Sequence, residues 1–316
     1  MSCLYRFTVL SLLLLGMNAF ADNMSACREA YQNKQFDKAI NLCLLPAQAG
    51  NPVAQYNLAV MYYNGNGVPK DLKQALYWHN KALNESYAIA QYNQGLLYAR
   101  GDVVSQDYTK AFYWYQKAAE QGNAEAQNNL AGLYYKGYGV GQDYLQAAMW
   151  YQKAAKQGNS KAQYNLGLML SKGIGVDQDY TQAVYWYEKA ADNGNVDAQN
   201  NLGVIFYNGV SVTKDYTKAV YWYQKSANSG NSKAQTNLGY MYYNGLGVAK
   251  NYSNSLFWYT KAANAGNANA QLYLGLMYSN GIGVTRNLDT AMYWFKKSAD
   301  QGNTMADYNL RNLSKN

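Results

Sequence analysis

The chain of 316 residues has 27 Lys and Arg against 19 Asp and Glu, a net charge of +8, and contains 34 Tyr, 7 Trp and one His. This aromatic content, with only 15% charged residues, excludes a disordered chain and a charged coiled coil. The single histidine argues against a histidine-based metal or catalytic centre, because such sites need several ligands or a histidine beside a nucleophile.

Residues 1–21 are typical of a secretory signal peptide. Arg6 precedes an apolar run over residues 7–17, and Ala19-Phe20-Ala21 supplies a small-x-small cleavage site. The run is too short to span a bilayer, and no later segment has about 20 unbroken apolar residues. A buried N-terminal helix is the alternative. The sequence therefore predicts an exported protein, periplasmic or secreted, whose mature chain has no transmembrane segment.

The segment 22–53 is predicted to form an atypical N-terminal capping repeat. It contains Cys27 and Cys43, the two cysteines that remain once the signal peptide is removed. An even pair of cysteines in an oxidising compartment favours a disulfide, here between two adjacent antiparallel helices. Two free buried thiols are the alternative.

A unit of 36 residues is repeated seven times over residues 54–305. Each copy opens with an Ala-Gln pair, no insertion or deletion separates the copies, and all seven tryptophans occupy the same place in them. Positions are counted below from the Ala of each Ala-Gln pair. Residues 306–316 continue the pattern and are predicted to form a polar closing helix.

The copy that begins at Ala162 illustrates the predicted helical hairpin. Its first helix is followed by a loop over 171–178, whose glycines allow positive φ, and Asp179 then caps the second helix, which ends at Gly194. The buried stripe of the second helix is predicted to be Tyr180, Ala183, Trp186, Tyr187 and Ala190. Since one hairpin cannot bury these side chains alone, the hairpins should stack into an all-α, right-handed α-solenoid.

The repeated unit resembles a known family. Its pattern is Ala-Gln-x-Asn-Leu-Gly-x-x-Tyr-x-x-Gly-x-Gly-Val-x-x-Asp-Tyr-x-x-Ala-x-x-Trp-Tyr-x-Lys-Ala-Ala-x-x-Gly-Asn, which is similar to the Sel-one-like repeat (SLR) family, a relative of the tetratricopeptide repeats. The resemblance covers residues 22–316. It implies a non-enzymatic protein–protein interaction scaffold or adaptor, and exported bacterial members are associated with envelope regulation, signalling and contact between pathogens and host cells.

The first helices are the candidate partner surface, since they line the concave face in tetratricopeptide-like stacks. A helical wheel directs positions three, seven and ten away from the core, with position eleven beside them. The candidate binding residues there are Tyr56, Tyr63, Tyr92, Arg100, Tyr135, Lys136, Tyr164, Lys172, Tyr207, Tyr240 and Tyr243. The three cations among them are predicted to form a basic stripe that suits an acidic peptide, a phosphate or an anionic glycan. Surface positions that have drifted without function are the alternative.

The sequence predicts no catalytic residue, metal ligand or cofactor. His79 stands where the other copies have Tyr or Phe, so it is interpreted as a core substitution. Export disfavours a nucleic-acid partner. Two alternatives to a protein scaffold remain: a peptidoglycan or surface-glycan binding module that uses the same tyrosines, and a penicillin-binding enzyme with weak β-lactamase activity. The cysteine-rich branch of the family implies the last, but its cysteine pattern is missing here.

Overall fold

The coordinates are a computed structural model that describes residues 25–101 and 104–313. The predicted signal peptide lies outside these residues. Within them every regular element is a helix, and tandem pairs of helices repeat every 36 residues as an all-α solenoid. Two compact units divide the chain, Met1–Gln142 and Asp143–Asn316.

Each unit is built from consecutive helices that pack side by side. The described helices of unit 1 are α1 (25–32), α2 (Phe36–Gln48), α3 (Pro52–Asn64), α4 (Leu72–Asn84), α5 (Ala88–Arg100), α6 (Tyr108–Glu120) and α7 (Ala124–Lys136). Those of unit 2 are α8 (Tyr144–Lys156), α9 (Ser160–Lys172), α10 (Tyr180–Asp192), α11 (Val196–Asn208), α12 (Tyr216–Asn228), α13 (Ser232–Asn244), α14 (Tyr252–Asn264), α15 (Ala268–Asn280), α16 (Leu288–Ala299) and α17 (Thr304–Leu313).

Short polar side chains begin the helices where the sequence predicts them. The Asp179 carboxylate accepts a hydrogen bond of 2.9 Å from the backbone N–H of Gln182, and the Asn195 side chain accepts one of 2.8 Å from that of Ala198. Such bonds satisfy N–H groups that have no partner within the helix. Gly194 has a φ of +79° just after the end of α10, so both predicted ends of that helix are confirmed.

The two cysteines of the N-terminal hairpin are joined by a disulfide. Cys27 on α1 and Cys43 on α2 have Cα atoms 4.8 Å apart, and both side chains are buried. The bridge joins the two helices of this hairpin within their shared apolar core. This pairing agrees with the prediction from the sequence.

A glycine at position six lets the two helices of a hairpin approach closely. A Cβ added to Gly239 on α13 would lie 2.7 Å from Cδ1 of Tyr259 on α14, and one on Gly275 would lie 2.6 Å from Cδ1 of Phe295. Both rings are about 1% exposed and cannot move aside freely. In these hairpins the position-six glycine packs directly against the aromatic ring at position twenty-six, with no room for a larger side chain.

The loop of each hairpin docks on the preceding hairpin. A Cβ on Gly175 would lie 2.5 Å from backbone atoms of Tyr144, the first residue of α8, and Gly175 has a φ of +68°. Ser211 replaces the corresponding glycine, and the sequence predicts altered geometry there. That prediction is wrong: Ser211 keeps a positive φ of +54°, because the packed hairpins on either side hold the backbone in place.

The glutamine of each Ala-Gln pair is buried and bridges helices, a role that the sequence did not predict. Gln271 on α15 donates from Nε2 to the carbonyl oxygen of Ala263 at the end of α14. Its Oε1 accepts a bond of 2.8 Å from Nε2 of Gln301, which follows α16. One side chain thus ties three successive helix ends together.

The prediction for the second helix is wrong at one residue. Ala183, Trp186, Tyr187 and Ala190 are buried as expected, whereas Tyr180 is 38% exposed. As the first residue of α10, Tyr180 lies over the loop, where its hydroxyl accepts a hydrogen bond from the Gln178 side chain. No preceding helical turn exists there to direct its ring into the core.

Candidate partner-binding surface

Position three lies between neighbouring first helices and does not face solvent as the helical wheel predicts. The Asn93 side chain on α5 donates a hydrogen bond of 2.7 Å to the hydroxyl of Tyr56 on α3, and the Asn129 side chain on α7 lies close enough to the Tyr92 hydroxyl to lower its pKa. Burial raises the pKa of Tyr56 to about 12. The wheel fails because it considers one helix, whereas a stacked helix has a neighbour on each side. Four further position-three residues are buried: Asn128, Asn200, Thr236 and Leu272.

The other candidates in unit 1 reach the surface. Tyr63 is 52% exposed, and the Lys70 ammonium lies 5.4 Å from its ring centre. Arg100 is exposed and close enough to Tyr92 for its charge to lower the pKa of that hydroxyl, although burial has the larger, opposite effect. Tyr135 is half-buried and Lys136 is exposed at the end of α7.

Tyr164 and Lys172 belong to unit 2, where Tyr164 lies in the first half of α9 and Lys172 is its last residue. The ring of Tyr164 packs 5.9 Å from that of Tyr187, and its hydroxyl is bonded to Asn201, so this tyrosine contributes to packing. Lys172 is exposed. Their contribution to a partner site with Arg100 and Lys136 stays a prediction.

The remaining candidates, Tyr207, Tyr240 and Tyr243, lie on two consecutive first helices of unit 2, α11 and α13. Tyr207 on α11 and Tyr240 on α13 have ring centres 6.3 Å apart, and the Tyr240 hydroxyl is close enough to raise the pKa of Tyr207. Tyr273 on α15 packs 5.1 Å from the buried ring of Tyr259, which Tyr240 and Tyr243 also approach. We refer to Tyr207, Tyr240, Tyr243 and Tyr273 as the tyrosine cluster.

Departures from the repeat pattern create the tyrosine cluster. Tyr240 occupies position seven, where the other copies have Val, Leu or, once, Gly, and Tyr273 occupies position four, where they have Asn. The sequence predicted Tyr207, Tyr240 and Tyr243 but missed Tyr273. The change from Asn at position four was the signal that could have identified it.

Second-helix residues form the rim of the cluster. The ring of Tyr216 packs 5.4 Å from Tyr207, and that of Tyr252 packs 5.2 Å from Tyr243. The Lys250 ammonium lies 5.9 Å from the Tyr252 ring centre. Burial, and then the Tyr240 hydroxyl, raise the pKa of Tyr207, so its phenol stays protonated at neutral pH and can donate a hydrogen bond.

The histidine belongs to a separate polar pair in unit 1. Nε2 of His79 on α4 lies 3.0 Å from Oε1 of Gln94 on α5, and burial lowers the pKa of the imidazole. Gln94 replaces the leucine that every other copy has at position five. The two departures complement each other, as expected for a core substitution. No group of three His, Cys, Asp or Glu side chains that could hold a metal occurs in residues 25–101 and 104–313.

Comparison with known families identifies the fold. The Sel1 repeat model matches seven consecutive segments: 52–87, 88–123, 124–159, 160–195, 196–231, 232–267 and 268–303. The chain belongs to the Sel1 repeat family. The matched segments start two residues before each Ala-Gln pair, because they are counted from the beginning of each first helix.

Two solved Sel1-repeat structures are similar over most of this chain. A protective antigen of uropathogenic Escherichia coli with an SLR fold is 38% identical with a TM-score of 0.80, and the match covers 87% of this chain and 59% of that one. A Sel1 repeat protein from Oxalobacter formigenes is 32% identical with a TM-score of 0.68, covering 94% and 90%. The chain thus spans less than two thirds of the antigen's length. No curated protein matches.

Sel1-repeat proteins are generally scaffolds that bind other proteins, and their fold is typically non-catalytic. This assigns a class of function and leaves the partner open. None of the helices described for this Sel1-repeat protein is long and apolar enough to cross a membrane.

Proposed function

We propose that this Sel1-repeat protein is a non-enzymatic scaffold that binds a partner protein on the tyrosine cluster. The observation that carries the proposal is that two departures from the repeat, Tyr240 and Tyr273, fall on consecutive first helices. Tyr273 packs 5.1 Å from the buried ring of Tyr259, and Tyr240 lies close enough to affect the pKa of that residue. Tyrosine is enriched at protein interfaces, since it supplies large contact area at little cost in side-chain entropy. Template residues at these two places would leave no such surface.

The chemistry of the cluster favours a partner segment with apolar and acidic side chains. The half-buried rings of Tyr207 and Tyr243 provide apolar contact, and Tyr240 is 37% exposed. Lys214 and Lys250 at the rim add positive charge. An acidic peptide would therefore gain both ring contacts and favourable long-range attraction.

The site of action that we propose is the bacterial envelope or exterior. The signal-peptide pattern of residues 1–21 and the disulfide between Cys27 and Cys43 support export, because disulfides persist in oxidising compartments. The similarity to a protective antigen of a pathogenic strain supports a role in contact with a host.

A template-restoring variant tests the tyrosine cluster. Y240L/Y273N puts into each position the residue found in other copies, so the fold should persist. We expect cross-linking in envelope extracts to recover a defined protein with the wild type and not with this variant. The matched control is Y308N, which removes a tyrosine that is 65% exposed elsewhere in unit 2 and should retain capture.

Equal capture by the wild type and Y240L/Y273N would overturn the proposal. Purified peptidoglycan treated with protease tests the glycan alternative. If it sediments with the wild type and not with the variant, the same tyrosines bind a glycan instead of a protein.

A further inference from the structure

The second helices of unit 2 present an exposed ring at position twenty-four of consecutive copies. Tyr185, Tyr221, Phe257 and Tyr293 are 46%, 52%, 49% and 51% exposed. Each ring contacts the tryptophan that follows it edge to face, with ring centres 4.9–5.0 Å apart. These contacts hold the rings in place while half of their surface stays in solvent. We call these four residues the aromatic ladder.

A lysine four residues later accompanies every ring of the ladder. The ammonium groups lie 5.7, 4.7, 4.6 and 4.8 Å from the ring centres, in Lys189, Lys225, Lys261 and Lys297. The ion pairs found in residues 25–101 and 104–313 involve other side chains, Lys110, Lys218 and Arg311. Among the described residues, none of the four ladder lysines forms an ion pair with a carboxylate.

Folding does not require the exposed ring. In the copy that begins at Ala126, position twenty-four is Met149, which is 47% exposed, and Lys153 lies 3.8 Å from the ring centre of Trp150. Its helix, α8, is 13 residues long, the same length as α10, α12 and α14. Since the helix forms equally well with methionine at position twenty-four, helix packing alone does not explain the aromatic rings in the later copies.

We propose that the aromatic ladder binds a polysaccharide whose sugar units carry carboxylates. A flat, fixed aromatic face suits the C–H face of a pyranose ring, and the adjacent ammonium suits the sugar carboxylate. The same pair recurs in the four consecutive copies of the ladder, which fits a polymer of identical units better than the varied surface of a folded protein. Individually weak contacts would then add up through multivalency. This surface lies on the second helices, whereas the tyrosine cluster lies on the first.

Binding of the signal-peptide-free protein to polygalacturonate, which has one carboxylate per sugar, tests the proposal. Two ladder variants are needed: K189Q/K225Q/K261Q/K297Q, and Y185M/Y221M/F257M/Y293M, which copies the natural Met149. The control K156Q/K161Q/K218Q/K233Q removes the same charge from exposed lysines of unit 2 that lie outside the ladder and the tyrosine cluster. We expect each ladder variant to weaken binding at least ~tenfold and the control to change it less than about twofold, since only the ladder contacts are multivalent.

Three results would overturn the proposal. The first is no binding of the wild type to polygalacturonate at low salt. The second is that the lysine ladder variant and the lysine control weaken binding equally. The third is that polyglutamate binds as well as polygalacturonate and that the methionine ladder variant binds like the wild type. The last would indicate an acidic polypeptide. Y240L/Y273N should bind polygalacturonate like the wild type, so failure here is distinguishable from failure of the tyrosine cluster. Circular dichroism of every variant checks that the helices are retained.

Discussion

A buried side-chain oxygen of unit 2 lacks a hydrogen-bond donor, and one substitution can supply it. Oε1 of Gln235 is buried without a hydrogen-bond partner, whereas Oε1 of Gln271 accepts from Gln301. The residue equivalent to Gln301 in the preceding copy is Ala265, which has no side-chain donor. The substitution A265Q should restore the bond. Ala265 has φ −78° and ψ 6°, close to the −85° and 5° of Gln121, which makes the same bond to Gln91.

The expected gain in the free energy of unfolding is the difference between a cost that the substitution removes and a cost that it adds. A buried polar group without a partner costs about 1–3 kcal/mol, and ordering a glutamine side chain costs up to about 2 kcal/mol. Ala265 is exposed, so the new side chain displaces nothing from the core. We therefore expect A265Q to raise the free energy of unfolding by about 1 kcal/mol.

Urea unfolding followed by tryptophan fluorescence measures this gain as a higher midpoint with an unchanged slope. The matched reverse variant is Q301A, which deletes the donor and leaves Oε1 of Gln271 buried and unpaired. It should lose about 1–3 kcal/mol. If A265Q does not raise the midpoint, Oε1 of Gln235 is already satisfied or out of reach, and the reasoning fails. A neutral Q301A would show that the glutamine bridge contributes nothing.

Two further predictions concern the packing between helices. Burial lowers the pKa of His79, so the unfolded chain binds its proton more readily and the free energy of unfolding should fall as the pH drops below about 6.5. H79Y/Q94L, with the residues of the other copies, should remove the histidine's share of this pH dependence in urea titrations. G239A should cost about 1–3 kcal/mol, because its Cβ would lie 2.7 Å from Tyr259. G141A, with nothing within 4 Å, should cost far less, and similar losses in both would contradict the contact described here.

The sequence predicts well whatever is decided within one hairpin. Helix ends depend on an Asp or Asn and on a glycine a few residues away, so Asp179, Asn195 and Gly194 could be assigned from the pattern alone. The period of 36 residues follows directly from the tryptophans. Ser211 shows the limit of such local rules, because its neighbours keep it in a backbone conformation that a serine seldom adopts.

Contacts between hairpins could not be assigned in the same way. Position three was predicted to face outward because a wheel has no neighbouring helix, yet Asn93 reaches Tyr56 across 37 residues. Tyr273 and Tyr240 stand in different positions of different copies. Comparing the copies one position at a time does not show that both residues lie near Tyr259. Only the stagger of the stacked helices brings these residues together.

The loop contact of Gly175 favours folding of the repeats in order from the N-terminus. This glycine closes over the start of α8, which is earlier in the chain, and Gly283 does the same over Tyr252 at the start of α14. Because a chain is synthesised from its N-terminus, each loop emerges after the helix that it covers. Every such contact joins residues about 31 positions apart in the sequence. Because contacts between residues close in sequence form quickly, each loop should dock on the preceding hairpin rapidly. A new repeat within a unit thus folds against a surface that is already complete.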